Sequence, residues 1–447
     1  MILPILFFII GYTLIALETP LKVDKSATAL LLGVAIWIFY VFGGETIFSF
    51  TGFFENFDIY KAANSDGTFL DFVSKHEMMH HIGNISEVLF FLLGAMTIVE
   101  TIDHHNGFSI ITERITTNNK RKLLWILTMI TFFLSAVLDN LTTTIVMCAL
   151  LRKLVVKRKE RWIFASLIVI AANCGGAFSP IGDVTTIMLW MDGAITPSNL
   201  IFKTFIPCLI SIIIPLTIIS FRMKGDFERP TNNTENQNHK IPEKIKYLVF
   251  FLGIGGLLFV PIFKSITHLP PFAGMLCSLA VLWLITSRLH YRFSGGSFSC
   301  SKILERIDTS SILFFLGILL AVSGLQSMGY LKMLATGLTQ VFDGNIYNMN
   351  LCIGLISSVV DNVPLVAGAI GMFPLDVYTT DHSFWLFLSY CAGIGGNFLI
   401  ISSAAGVAAM GMEKIEFVWY LKKFSLWVLL SFFAGAGAFI LLDKFFF

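Results

Sequence analysis

The chain has 447 residues and a formal net charge of +2; 55% of it is hydrophobic and only 13% charged, with a mean hydropathy of +0.78. This balance excludes a soluble enzyme of ordinary composition, and the near-zero net charge gives no reason to expect a nucleic-acid partner. Seven cysteines (Cys148, Cys174, Cys208, Cys277, Cys300, Cys352 and Cys391) lie scattered without C-x-x-C spacing, so neither a zinc site nor a disulfide framework is expected.

Apolar runs of about 18–25 residues are membrane-span candidates. They fall at roughly 2–18, 27–45, 87–102, 123–138, 162–190, 200–221, 246–264, 272–287, 310–328, 348–360, 383–411 and 424–445. These predict an all-α polytopic membrane protein with about 10–12 membrane segments. The first run has no basic region before it and no small-residue cleavage site, so it is expected to be a retained helix rather than a signal peptide. The 46–86 stretch is aromatic and acidic and is expected to be an outer loop with one or two short interfacial helices. Its "HEMMHH" (His76–His81) is read as ordinary loop histidines.

Basic residues give the topology, because Lys and Arg collect on the cytoplasmic side. The stretches 22–25, 103–122, 152–161, 222–246, 288–306 and 414–423 hold 25 of the 31 Lys and Arg residues. With these inside, the N-terminus is outside. The 123–151 segment must then enter from the cytoplasm and return to it, and the 348–374 segment must do the same from outside. Each is predicted to be a re-entrant hairpin, with tips at Asp139-Asn140 and Asp361-Asn362.

The chain also repeats itself. "SAVLDNLTT" (Ser135–Thr143) aligns with "SSVVDNVPL" (Ser357–Leu365) at an offset of 222, and "NCGGAFSPIGD" (Asn173–Asp183) with "GIGGNFLIISS" (Gly393–Ser403) at an offset of 220. Opposite entrance sides make the repeats inverted, a recurrent plan of secondary transporters. The expected organisation is a first repeat over 1–224 (hairpin 123–151, broken helix 162–190), a cytoplasmic linker over 225–246, and a second repeat over 247–447 (hairpin 348–374, broken helix 383–411).

Non-helical backbone at membrane depth must be buried in protein or line a watery cavity. The expected breaks are the two hairpin tips, Gly175-Gly176 and Gly395-Gly396. An isolated carboxylate there is costly, and either a cation or a proton relieves it. One carboxylate that accepts both couples the two ions. Asp139 and Asp183 are the expected exchanging pair, with Asn140, Thr142 and Asn173 completing a site for a hard cation. Supporting positions are Ser135, Thr185, Thr186, Ser357, Asp361, Asn362, Asn397, Ser402 and Ser403. Asp183 follows a Ser-Pro-Ile-Gly break and is expected at the start of a new half-helix. Thr143 and Thr144 are as readily explained by packing contacts between helices.

"SAVLDNLTTTIVM", "NCGGAFSPIGDVTTIMLW", "LPPFAGMLCSLAVLWL", "SSVVDNVPLVAG" and "GIGGNFLIISSAAGVAAMG" together resemble the NhaD-type sodium/proton antiporters of the ion transporter superfamily, over about Ile15 to Leu441. The resemblance implies antiport of Na⁺, often with Li⁺, against H⁺, by alternating access and without a resident cofactor. It also implies a homodimer with a scaffold part and a mobile part in each protomer, set in membrane lipid, here the bacterial inner (plasma) membrane. Carried over by motif, the ion pathway comprises Ser135, Asp139, Asn140, Thr142, Asn173, Asp183, Thr185, Thr186, Ser357, Asn362, Ser402 and Ser403. The same superfamily holds carriers of dicarboxylate, citrate and arsenite. Hydroxyls and amides at both tips would suit such an anion, and the Asp-Asn pairs here argue against it. A receptor or scaffold has no need for two broken hairpins, and no nucleotide-binding loop is present to drive transport.

Overall fold

The computed structural model describes residues 3–16, 22–51, 55–63, 68–112, 115, 117–223, 225–226, 242–293 and 303–446. Among them the regular structure is helical, apart from an isolated bridge between Asn119 and Asp226. Among the described residues, seven helices are long and apolar enough to cross a membrane: Lys25–Gly44, Phe69–His104, Pro197–Arg222, Glu243–Thr267, Pro271–Leu289, Thr309–Ser327 and Phe417–Phe445. Five shorter apolar helices accompany them: Leu3–Ile15, Asn140–Arg152, Ile346–Ile356, Asn362–Met372 and Ser383–Gly395. The protein is thus a polytopic, all-helical integral membrane protein, as its composition predicts.

The chain forms two compact units. One comprises Met1–Phe90, Asp308–Met349 and Val363–Thr379; the other comprises Phe91–Ile307, Asn350–Asn362 and Thr380–Phe447. Each draws on both halves of the sequence.

In the first unit, helices Lys25–Thr51 and Thr309–Ser327 pack along their length. Small residues let their backbones meet. A Cβ on Gly317 would collide with the backbone of Ala29 and Leu30, and one on Gly33 would lie 2.6 Å from the Gly317 carbonyl oxygen. Trp37 Nε1 donates to the Leu320 carbonyl (2.9 Å), and Ser26 Oγ to that of Ser310 (2.8 Å).

Two expectations are corrected in this unit. The "HEMMHH" residues are not in a loop; they lie within the helix Phe69–His104, whose first part makes a wide π-type turn over Phe72–Glu77. Ser327 Oγ donates to Glu77 Oε2 (2.7 Å) and lies 2.9 Å from His81 Nε2, at the edge of a cavity of about 1030 Å³. The sequence also gave no sign of helix Tyr330–Val341, whose apolar face is too narrow to read as a span; it starts after Gly329, at φ 81°.

The second unit is built around Arg158–Ala177, in which every residue from Phe164 to Ala177 is buried. It packs against Lys120–Ser135, Asn140–Leu154, Pro197–Arg222, Ser383–Gly395 and Ala404–Glu413. The expected break at Gly175-Gly176 is also corrected: the helix runs through both glycines to Ala177 and resumes at Val184. The glycines serve close packing instead, since a Cβ on Gly175 would strike the Phe132 carbonyl and one on Gly176 that of Gly182. Pro180 stops the helix, having no N–H and crowding Ser179 out of helical geometry. The counterpart break does open at Gly395-Gly396 and ends at Ser403. Helix Glu243–Thr267 begins within the last residues of the expected linker, of which 227–241 lie outside the described residues.

Asp381 ties together two loops of this unit. It accepts from Thr196 N (2.6 Å), Thr196 Oγ1 (2.8 Å) and Asn199 Nδ2 (2.8 Å) at the start of helix Pro197–Arg222, and its own φ is 63°. Asp381→Ala removes that cap and puts alanine in the left-handed region. It is expected to lower unfolding free energy by about 1–2 kcal/mol, read as a lower midpoint in detergent melts.

Candidate functional site

Lys120–Ser135 and Asn140–Leu154 are separated by four residues. Asp139 closes the gap as the N-cap of the second helix. Its Oδ1 accepts from Thr142 N (2.9 Å), and Thr142 Oγ1 donates to its Oδ2. Asp183 does the same for Val184–Met191: its Oδ1 accepts from both Thr185 N and Thr185 Oγ1, each at 2.9 Å. Thr186 Oγ1 donates to the Asp183 carbonyl (2.9 Å). Helix N-termini leave N–H groups without intrahelical partners, and the two carboxylates take them up.

Amides join the caps. Asn140 Nδ2 donates to Asp183 Oδ2 (2.6 Å) and Asn173 Oδ1 (3.0 Å). Asn173 Nδ2 donates onward to Asn397 Oδ1 (2.8 Å) and Ser403 Oγ (3.0 Å). Ser403 Oγ accepts from Gly406 N (3.1 Å) as the N-cap of Ala404–Glu413. Asn362 Nδ2 also reaches Asp183 Oδ2, at 3.4 Å. Asp183 is 1% exposed and Asp139 9%; Asn173 and Asn397 are fully enclosed. The Asp183 carboxylate thus takes the amides of Asn140 and Asn362, and Asn140 links it through Asn173 to Asn397 and Ser403.

The serines act on the frame. Ser135 Oγ donates to the Ala172 carbonyl (2.7 Å), and Ser357 Oγ makes the matching bond to Ala392 (2.9 Å). Ser402 Oγ donates to the carbonyls of Gly396 (2.8 Å) and Leu399 (2.6 Å) inside the second break. Of the Asp361-Asn362 pair it is the Asn362 amide that contacts Asp183, while Asp361 is half-buried. Sequence reasoning missed Tyr420, whose hydroxyl donates to the Asn397 carbonyl (2.7 Å); nothing marks it among the aromatic residues of its segment. It left Thr143 and Thr144 open between packing and function; both are buried without a hydrogen-bond partner among the described residues.

Carboxylate, amide and hydroxyl oxygens at this density suit a hard cation. Asn140 and Asn362 hold the Asp183 oxygens by neutral donors, so the carboxylate charge is available to a cation or a proton.

The citrate transporter (CitMHS) family model matches residues 12–393. Sodium/proton antiporter 2 of Arabidopsis thaliana is 41% identical over 447 residues, covering 98% of this chain and 99% of that protein. Sodium/proton antiporter 1 of the same plant is 42% identical over 439 residues, covering 97% of this chain and 71% of that protein. The Na(+)/H(+) antiporter NhaD of Vibrio cholerae is 30% identical over 450 residues, covering 94% and 87%. With the family model spanning most of the chain and these relatives matching nearly end to end, the chain belongs to the NhaD-type sodium/proton antiporter family, and it is a transporter rather than an enzyme.

Proposed function

We propose that the protein exchanges Na⁺, and Li⁺ as well, for H⁺ by alternating access, with cation and proton competing for Asp183 and Asp139. The observation that carries this reading is the buried cluster in which Asp183, capping one half-helix, is held by the amide of Asn140 from the start of another. An ionised, unloaded site in membrane surroundings is disfavoured by several kcal/mol. Loading with Na⁺ or with H⁺ removes that penalty, so only the loaded forms cross readily and the two ions are coupled. Asp139, Asp183 and the side-chain oxygen of Asn173 are the proposed cation ligands. Asn140 and Thr142 orient the two carboxylates.

Lengths support the re-entrant reading. Helices of 16 and 15 residues reach only about 22–24 Å each, short of a hydrocarbon core of about 30 Å, and both outer ends are basic. The matching Ser135 and Ser357 bonds, and the matching caps Asp183 and Ser403, support two inverted repeats. The homodimer, the bacterial plasma membrane and the outside N-terminus complete the proposal. The citrate transporter family model is the one finding on the side of an anion carrier, and the relatives that match nearly the whole chain, named as sodium/proton antiporters, favour cation exchange over it.

In everted vesicles from a host without its own antiporters, Na⁺ or Li⁺ should dequench a respiration-quenched pH dye, and labelled citrate or succinate should not be taken up. Silence to Na⁺ and Li⁺ would overturn the assignment. Direct binding gives the sign of the pH effect. A protonated carboxyl must lose its proton before it takes Na⁺, so sodium affinity should fall as pH falls, by up to about tenfold per unit for each proton displaced. Calorimetric titration with Na⁺ at two pH values checks this.

A further inference from the structure

Thr143 and Thr144 follow Asn140 by three and four residues, which puts all three on one face of helix Asn140–Leu154. The helix packs against Arg158–Ala177 and Ala404–Glu413, the two elements that carry Asn173 and begin after Ser403. Both threonines are 0% exposed, and neither Oγ1 has a hydrogen-bond partner among the described residues. Buried helical threonines elsewhere in this chain donate to the carbonyl four residues back, as Thr131 does to Leu127 (2.7 Å) and Thr204 to Leu200 (2.5 Å). The neighbouring Thr142 is committed to Asp139. A buried hydroxyl without a partner is disfavoured and calls for an explanation.

We propose that the hydroxyl oxygens of Thr143 and Thr144 are ligands of the transported alkali cation, forming an inner coordination position one helical turn from Asn140 on the side of Asn173 and Ser403. The inference rests on the sodium-exchange reading and adds to it. The run of three threonines then divides its work: Thr142 orients a carboxylate, while the next two supply neutral hard oxygens in place of the cation's water. Neutral ligands bring no charge to titrate, so their contribution lies in affinity and in the choice between Li⁺ and Na⁺.

Thr143→Val and Thr144→Val keep the volume and the branch and remove only the hydroxyl. Purified in choline buffer, the double variant should unfold at the parent's temperature or above it, because a partnerless buried hydroxyl has been removed. Added Na⁺ should raise its unfolding temperature by less than half the parent's increment, by mass action. Its apparent KM for Na⁺ should rise about tenfold, more than its maximal rate falls, and Thr143→Ser with Thr144→Ser should restore it. A sodium increment and KM equal to the parent's would overturn the proposal. So would lower ion-free stability with unchanged KM, the mark of a packing role. A parent that itself ignores Na⁺ would overturn the sodium reading, and this inference with it.

Discussion

Asp183→Ala is expected to abolish sodium-driven proton movement in everted vesicles while the protein still inserts in the membrane. Three losses coincide. The site loses a charge, the helix Val184–Met191 loses its cap, and the Asn140 and Asn362 amides lose a buried acceptor. Each hydrogen bond to a charged group is worth about 1.5–3 kcal/mol, on the order of tenfold to a hundredfold in apparent cation affinity. Asp183→Asn separates the causes. It keeps the shape and the acceptor that caps the helix at Thr185, but turns an NH2 toward the Asn140 and Asn362 amides and leaves nothing to neutralise, so exchange should still be lost while the protein loses less thermal stability than with alanine. Exchange that survives Asp183→Asn would mean that this carboxylate does not carry the coupling. Asp139→Ala is expected to be as inactive, because it removes the second proposed carboxylate ligand, which Thr142 holds in place.

The legible part of this chain is the part where polarity is expensive. Asp139, Asn140, Asn173 and Asp183 stand out because carboxylates and amides in apolar segments demand a reason, and the fold joins Asn173 and Asp183 through the amide of Asn140. Asp183 as a helix cap was foreseeable from the Ser-Pro-Ile-Gly before it. The same stretch marked the break itself; the further break expected at Gly175-Gly176 did not open, because glycine both interrupts helices and lets them approach. Gly175 and Gly176 do the second, and Pro180 the first. The histidines of "HEMMHH" looked like a loop because their segment is polar, but they lie in a helix and line a large cavity together with Glu77 and Ser327. Contacts between distant residues left no trace in local pattern. Asn173 meets Asn397 across 224 positions, and only the repeat offset of about 220 hinted at the pairing.

Glu413 is the strongest case of an invisible partner, and replacing it should produce the largest loss of stability. It looks like one acid in a basic cytoplasmic stretch, yet its side chain is 0% exposed and is gripped by Arg152 Nε and Arg161 Nε, each at 2.7 Å. Trp162 Nε1 donates to its carbonyl (3.0 Å), and Arg152 also bonds the Met412 carbonyl. Arg152 is 47% exposed, so solvent screens its share; Arg161, at 20%, is the more consequential partner. Glu413→Gln strands Arg161 beside a neutral amide and is expected to lower unfolding free energy by about 3 kcal/mol. Adding Arg161→Met should recover part of that, and a coupling energy near zero in the double-mutant cycle would show that the pair contributes nothing. The cluster also bears on transport. The three helices it fastens run to the site at their other ends: Asn140–Leu154 starts at the Asp139 cap, Ala404–Glu413 starts at the Ser403 cap, and Arg158–Ala177 carries Asn173 near its close. Helices transmit axial shifts with little loss, since each residue rises by about 1.5 Å. The shorter side chain of Glu413→Asp should therefore raise the KM for Na⁺ more than it lowers the maximal rate, even where the fold survives.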